Sequence, residues 1–153
     1  MRTVILALAR RSSQNGVKIM LADDDALEQS IALVRRYVEA LNSGDLAGLD
    51  ELFADDFVIH QPAGDQHGRR AIRDFVAGVR RLLPDIEARI DEVFADDAFK
   101  DGHRVGVLLS YEATHAQLGR RVRVRELQLY RVADGKICER WYAADRRAAR
   151  GEA

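Results

Sequence analysis

A tyrosine, a histidine, a carboxylate and an amide fall at alternate positions in two neighbouring stretches of the chain. In Arg104 to His115, the residues Val105, Val107, Leu109, Tyr111, Ala113 and His115 share one face of an extended strand, against Arg104, Ser110, Glu112 and Thr114 on the other. In Arg121 to Val132, the set Val122, Val124, Glu126, Gln128, Tyr130 and Val132 alternates with Arg121, Arg123, Arg125, Leu127, Leu129 and Arg131. The apolar sets must face the interior, and they carry Tyr111, His115, Glu126 and Gln128 with them.

A carboxylate on an otherwise apolar face loses hydration and becomes a group able to give and take protons near neutrality. Glu126 is therefore the first candidate acid/base and the inward charge to test, because much of the basic half of the chain is sorted onto outer faces. His115 is a second candidate proton carrier. Tyr37, beside Val34, Val38 and Leu41 on a helical face, is a candidate donor to an oxygen on which charge develops. Each has a plainer alternative: Glu126 paired with an arginine near a sheet edge, His115 solvated at a strand end, Tyr37 a core tyrosine bonded to backbone. His67 and His103 lack a periodic partner and are read as solvent-exposed.

The elements that must position these groups are legible in the periodicity. From Asp23, Leu27, Ile31, Val34, Val38 and Leu41 recur at three and four, and Asn42-Ser43-Gly44 stops the helix. A short helix through Leu46, Leu49 and Leu52 precedes a strand, Phe57 to Gln61, halted by Pro62; its inward set is Phe57, Ile59 and Gln61, which turns His60 outward. A loop from Ala63 to Gly68 leads to a third helix through Ile72, Phe75, Val76, Val79, Leu82 and Leu83, ending at Pro84. Four strands then follow in an antiparallel meander, about Ile86 to Phe94, Arg104 to His115, Arg121 to Val132 and Lys136 to Ala144. Three helices closing one face of a long curved sheet give an α+β cone, a cone-shaped α+β barrel whose apolar residues line an interior pocket.

Two turns set the register. A two-residue Leu118-Gly119 turn pairs Gln117 with Arg120, placing Tyr111 opposite Glu126 and Leu109 opposite Gln128. A two-residue Asp134-Gly135 turn turns Trp141 inward opposite Gln128, whereas a one-residue bulge beside it turns Tyr142 inward instead. The bulged form is favoured here, and Trp141 and Tyr142 both stay candidates for contacts with a ligand, together with Gln61, Tyr111 and Gln128. Asp145 closes the last strand and is read as a solvated end residue.

Composition narrows the classes. The 153 residues, 24 Lys+Arg against 25 Asp+Glu and 47% hydrophobic, fit one domain with its own core. The near-neutral charge supplies no field to gather nucleic acid or an anionic membrane, so neither is expected as a partner. With Cys138 alone no internal disulfide can form, and the four histidines show no metal spacing. No phosphate loop or dinucleotide fingerprint is present, so no cofactor is expected and chemistry falls to side chains. The apolar stretch Thr3 to Ala9 is short for a signal peptide, far below a membrane span and without a cleavage pattern. Residues 1–22 are read as an N-terminal extension, a dimer-contacting arm being one reading of it, 23–146 as the domain and 147–153 as a tail, with a cytoplasmic location.

The runs Tyr37-Val38-Glu39-Ala40-Leu41-Asn42-Ser43-Gly44-Asp45-Leu46, Leu52-Phe53-Ala54-Asp55-Asp56 and His60-Gln61-Pro62, with the glycine-led helix Gly68 to Phe75, resemble the nuclear-transport-factor-2-like superfamily. The second half, Ala113-Thr114-His115 and Asp134-Gly135-Lys136-Ile137 before Glu139-Arg140-Trp141, is similar to the SnoaL-like polyketide cyclase branch. The resemblance spans about Asp24 to Asp145 and implies the cone fold. It fixes the reaction poorly, because this superfold hosts isomerases, dehydratases, epoxide hydrolases, cyclases and non-enzymatic proteins. It implies that Tyr37 matches the tyrosine of ketosteroid isomerases, whose base position is Gln61 here and whose later acid falls near Leu127. In SnoaL-like cyclases the catalytic aspartate and its supporting histidine correspond to Tyr142 and Gln128, so the usual aspartate is replaced.

Two classes of function follow. The first is a cofactor-independent acid/base enzyme on a small, largely apolar metabolite, of cyclase, isomerase, dehydratase or epoxide hydrolase type, in polyketide or other secondary metabolism. The alternative is a non-catalytic small-molecule-binding or dimeric assembly module of the same fold. In both, the outer face with Leu127, Leu129 and the arginines from Arg121 to Arg131 is expected to form a homodimer.

Overall fold

The computed structural model describes residues 24–144, so the N-terminal extension, Asp145 and the tail lie outside the described residues. In chain order the elements are α1 (Asp24–Ser43), α2 (Leu49–Leu52), β1 (Phe53–His60), β2 (Gln66–His67), α3 (Arg69–Leu82), β3 (Glu87–Phe99), β4 (Gly102–His115), β5 (Arg120–Ala133) and β6 (Lys136–Ala144). The helices pack on a six-stranded, curved, unclosed sheet of order β2-β1-β6-β5-β4-β3. Every pairing is antiparallel except that of β1 with β6.

The predicted helical stripe is the buried one. Leu27, Ile31, Val34, Val38 and Leu41 all lie in the core, and Tyr37 lies among them. Gly44, at φ +77°, ends α1 by sending its N–H back to Ala40 O at 2.8 Å. Aromatic rings pack the base of the interior. Tyr37 meets Phe53 edge-on at 5.3 Å and Tyr130 at 6.1 Å, and Phe53 meets Phe57 at 4.7 Å. Each such ring, fully removed from water, contributes roughly 1.5–3 kcal/mol.

Asn42 does more than mark a helix stop. Its Nδ2 donates to Ala88 O at 2.9 Å, and Ala88 N–H donates to its Oδ1 at 2.7 Å. The amide thereby acts as a one-residue ladder partner that fastens the end of α1 to the start of β3. Arg80 Nη1, from α3, donates to the carbonyls of Leu41 and Asn42 at 2.9 and 2.6 Å, so the last turn of α1 is satisfied by a second helix. Asp85 fixes the other end of the same corner, accepting Thr114 N–H at 2.6 Å and the Thr114 hydroxyl at 2.8 Å.

Several expectations are corrected. Pairing between β4 and β5 runs His115 with Arg120, so the connection has four residues and not two. Leu118 and Gly119 N–H both return to His115 O, and Gly119 takes φ +62° to complete this wider turn. The register therefore slides by two: Tyr111 opposes Val124, Leu109 opposes Glu126 and Val107 opposes Gln128. A shift of two keeps every side chain on its face. The loop before α3 contains the short strand β2, whose His67 pairs with Val58. His103 belongs to β4 rather than to a loop, half-buried with its Nδ1 2.8 Å from the hydroxyl of buried Ser30.

Replacing Asn42 with Ala leaves Ala88 N–H and C=O without their partner, and chemical denaturation should show a loss of about 1–3 kcal/mol. Asp85 is held below the ordinary carboxylate range, first by Thr114 N–H and then by its hydroxyl. A carboxyl more acidic in the folded than in the unfolded chain stabilises above the unfolded value and ceases to do so as pH falls through the folded one. The stability gap between wild type and Asp85→Asn, followed by denaturation at each pH, should therefore be widest near neutrality. It should close as pH falls from about 5 to about 2.

Candidate active site

The inner face of β5 carries Val122, Val124, Glu126, Gln128, Tyr130 and Val132, and β6 presents Ala144, Tyr142, Arg140 and Ile137 opposite the last four of these. The two-residue Asp134-Gly135 turn is present, with both residues at positive φ (51° and 69°), as a hairpin turn of this kind requires. Cys138 is then the extra residue of a bulge: Val132 pairs with Ile137 and Arg131 with Glu139. That one residue reverses the parity of the rest of β6. Tyr142 and Arg140 turn inward, and Trp141 turns outward.

A chain of hydrogen bonds runs along this face. Tyr111 OH donates to Glu126 Oε1 at 3.3 Å, and Gln128 Nε2 donates to Glu126 Oε2 at 2.7 Å. Tyr130 OH donates in turn to Gln128 Oε1. Donors point one way, from Tyr130 through Gln128 to the carboxylate. Such alignment orients Glu126 and polarises each link. Burial, followed by the nearby Glu126 charge, pushes the Tyr111 hydroxyl above its ordinary range. Burial does the same for Tyr130 and Tyr37, against the lowering effect of Arg140, so all three remain protonated donors.

Arg140 is the group that reading the sequence missed. It is 1% exposed, the largest fully buried side chain among the described residues. Its guanidinium lies 4.5 Å from the ring centre of Phe75, 4.9 Å from Tyr142 and 5.8 Å from Tyr37. Burial is the largest influence on it and opposes the charge, yet with the neighbouring tyrosines and the Glu126 carboxylate acting the other way its pKa lies above the ordinary arginine value, and it stays a cation. Its Nε and Nη1, and the Tyr37 hydroxyl, find no hydrogen-bond partner among the described residues. A signal for this was available. The bulge considered for Tyr142 moves every residue two apart from it, Arg140 included.

The remaining candidates separate. Glu126, Tyr111, Gln128, Tyr142 and Tyr37 share the interior, and among the described residues Glu126 forms no ion pair with an arginine. Trp141, a candidate ligand contact, instead lies on the outer face, stacked 4.5 Å from His60 and 6.0 Å from Phe99. His60 is outward as its parity required, with Nε2 2.9 Å from Glu139 and Nδ1 3.1 Å from Asp65. His115 keeps the inner parity, but its Nδ1 accepts Leu118 N–H at 3.2 Å, so the ring is engaged by the loop. Gln61 is half-buried just beyond β1, its carbonyl accepting Gly64 N–H at 2.9 Å. A groove of about 790 Å³ opens across β3, β4 and β5, walled by Arg89, Asp91, Ser110, Glu112, Arg123 and Arg125. Along its walls Arg89 pairs with Asp91 at 3.0 Å and Arg123 with Glu112 at 2.5 Å. Among the described residues no group of His, Cys, Asp and Glu is arranged to hold a metal ion, and no helix is long and apolar enough to cross a membrane.

The model of the SnoaL-like domain matches residues 34–140, from the helix carrying Tyr37 to Arg140 itself. The chain belongs to the SnoaL-like family. Solved structures of SnoaL-like and related proteins share its NTF2-like fold. IdmH from Streptomyces antibioticus, a candidate polyketide cyclase, is 26% identical, with 81% of this chain and 97% of that one covered at a TM-score of 0.68. Bal32a, from a soil-derived mobile gene cassette, is 28% identical over 81% of this chain and 95% of its own, at 0.70. AclR from Streptomyces galilaeus, a candidate hydroxylase, shares the fold at 23% identity and a TM-score of 0.66, over 80% and 93% of the two chains. The same fold thus occurs in proteins with different candidate activities, so the site of this chain must be read from its own residues.

A buried cation with unmet N–H groups burdens the free protein. Arg140→Met should leave thermal and chemical stability unchanged or raise it by about 1–3 kcal/mol. A loss of several kcal/mol would make Arg140 a structural element of the core.

Proposed function

We propose that this SnoaL-like protein is a cofactor-independent acid/base enzyme that removes a proton from carbon next to a carbonyl in a small, largely apolar metabolite. The observation that carries the reading is Glu126, a half-buried carboxylate whose two oxygens are each oriented by one donor on an otherwise apolar face. Gln128 holds the carboxylate in place. Tyr142, half-buried on the same face, donates to the carbonyl oxygen as it becomes an enolate, while Tyr111 keeps its proton on Glu126 Oε1. Glu126 then returns the proton to the same carbon, to a neighbouring carbon or to a departing hydroxyl. Isomerisation, aldol-type cyclisation and dehydration share this first step, which is why the family's usual aspartate can be absent at Tyr142 without loss of the reaction class. His115, engaged by its loop, is left out of the mechanism, and Gln61 is assigned to ligand contact. The exposed Leu127, flanked by Arg125 and Arg131, suits a homodimer contact on the outer face.

The shared step is measurable without the native substrate. In D2O, 2-tetralone and an aryl β-keto ester should exchange their α-protons faster with the protein than in buffer, followed by proton NMR. Glu126→Gln should lower that rate at least about 10²-fold. Probes that bind unchanged, with exchange at the buffer rate, would instead support a binding module.

A further inference from the structure

The unmet demand of Arg140 specifies a ligand more narrowly than Glu126 does. A guanidinium 1% exposed gives up its hydration, and the loss is offset only by acceptors, preferably charged ones. The three rings around it lend the negative faces of their π-systems, which favour a cation but accept none of its in-plane N–H bonds. No hydrogen bond or ion pair joins Glu126 to Arg140 among the described residues; Glu126 accepts from Tyr111 and Gln128, and Tyr130, opposite Arg140, stands four residues away on β5. Nε, Nη1 and the buried Tyr37 hydroxyl are therefore donors on one side of the cone with no acceptor among the described residues. The rings of Phe75 and Tyr142, 6.2 Å apart and both half-exposed, lie against the guanidinium, whereas Tyr37 on its other side is buried.

We infer that Arg140 anchors a carboxylate, and that the ligand of this cone is a small acid with an apolar body, seated beneath Phe75 and Tyr142 with its carboxylate on Nε and Nη1 and within reach of the Tyr37 hydroxyl. A neutral carbonyl would leave the buried charge uncompensated; a carboxylate compensates the charge and accepts the N–H bonds together. The inference deepens the reading of the cone as a substrate site. It adds that the carbon acted on by Glu126 is several bonds from the acid group, because Gln128 and Tyr130 lie between the two positions.

The test uses the full-length protein and a matched pair of probes, 4-phenylbutanoate and 4-phenylbutanamide, titrated by calorimetry near pH 7. The acid should bind at least about tenfold more tightly than the amide. Arg140→Met should reduce the acid to the affinity of the amide, and Arg140→Lys should keep part of the preference. Equal binding of acid and amide, no binding of either at millimolar concentration, or a preference that survives Arg140→Met each overturns the anchor. The wild-type comparison decides the matter even where a variant does not fold. A preserved acid preference with no α-proton exchange would remove the proposed chemistry and keep the anchor; exchange without acid preference would do the reverse.

Discussion

A cation sealed among aromatic rings, with part of its hydrogen-bonding capacity unspent, is the constraint on which the rest of the interior turns. Arg140 sits there against the ring faces of Phe75, Tyr142 and Tyr37. Across the sheet it faces Tyr130, whose hydroxyl donates to Gln128, and the Gln128 amide donates to Glu126. The buried cation and the carboxylate therefore share one polar stretch of the interior. The carboxylate ends a directed chain of donors whose first member, Tyr130, lies opposite the cation.

That arrangement depends on a single residue of strand register. Without the Cys138 bulge, β6 would present Trp141 and Glu139 to the interior and send Arg140 and Tyr142 to solvent. The Asp134-Gly135 turn, whose two positive φ values fix the hairpin, leaves no freedom to absorb the slip elsewhere. At the other end of the sheet, Asn42 and Arg80 tie α1, α3 and β3 into one corner, so the helix bearing Tyr37 cannot drift from the strands bearing Glu126. A polar network of this kind needs such fixation, because one lost partner leaves buried donors unsatisfied.

Much of this was legible in the residues. The α1 stripe, the switch to period two after Pro84, and the inward set Tyr111, Glu126 and Gln128 follow from side-chain alternation, which backbone sterics enforce regardless of tertiary detail. What resisted reading was everything set by counting across a turn. The His115 to Arg120 connection is two residues wider than its glycine suggests, because Leu118 and Gly119 both fold back onto the His115 carbonyl. A slip of two changed partners and not faces, so Tyr111 still reaches Glu126 diagonally. Arg140 stayed hidden for a different reason: an arginine in a stretch rich in arginines reads as surface, and only the bulge parity, carried two residues back from Tyr142, exposes it. The double tie of Asn42 to Ala88 has no local signature, since its partner lies 46 residues away.

Membership of the SnoaL-like family fixes the scaffold and leaves the chemistry to the residues that differ among its members, here Glu126 at one end of the interior and Arg140 at the other. The claim on which the account stands is that the Arg140 guanidinium is held ready for an acceptor brought by a ligand. Nitrogen-15 NMR of the arginine Nε–H groups tests it directly, with the Arg140 resonance assigned by its loss in Arg140→Met. The account predicts one slowly exchanging Nε–H signal that shifts on addition of 4-phenylbutanoate and not of its amide. A signal that is already hydrogen-bonded in the free protein and indifferent to the acid would contradict it.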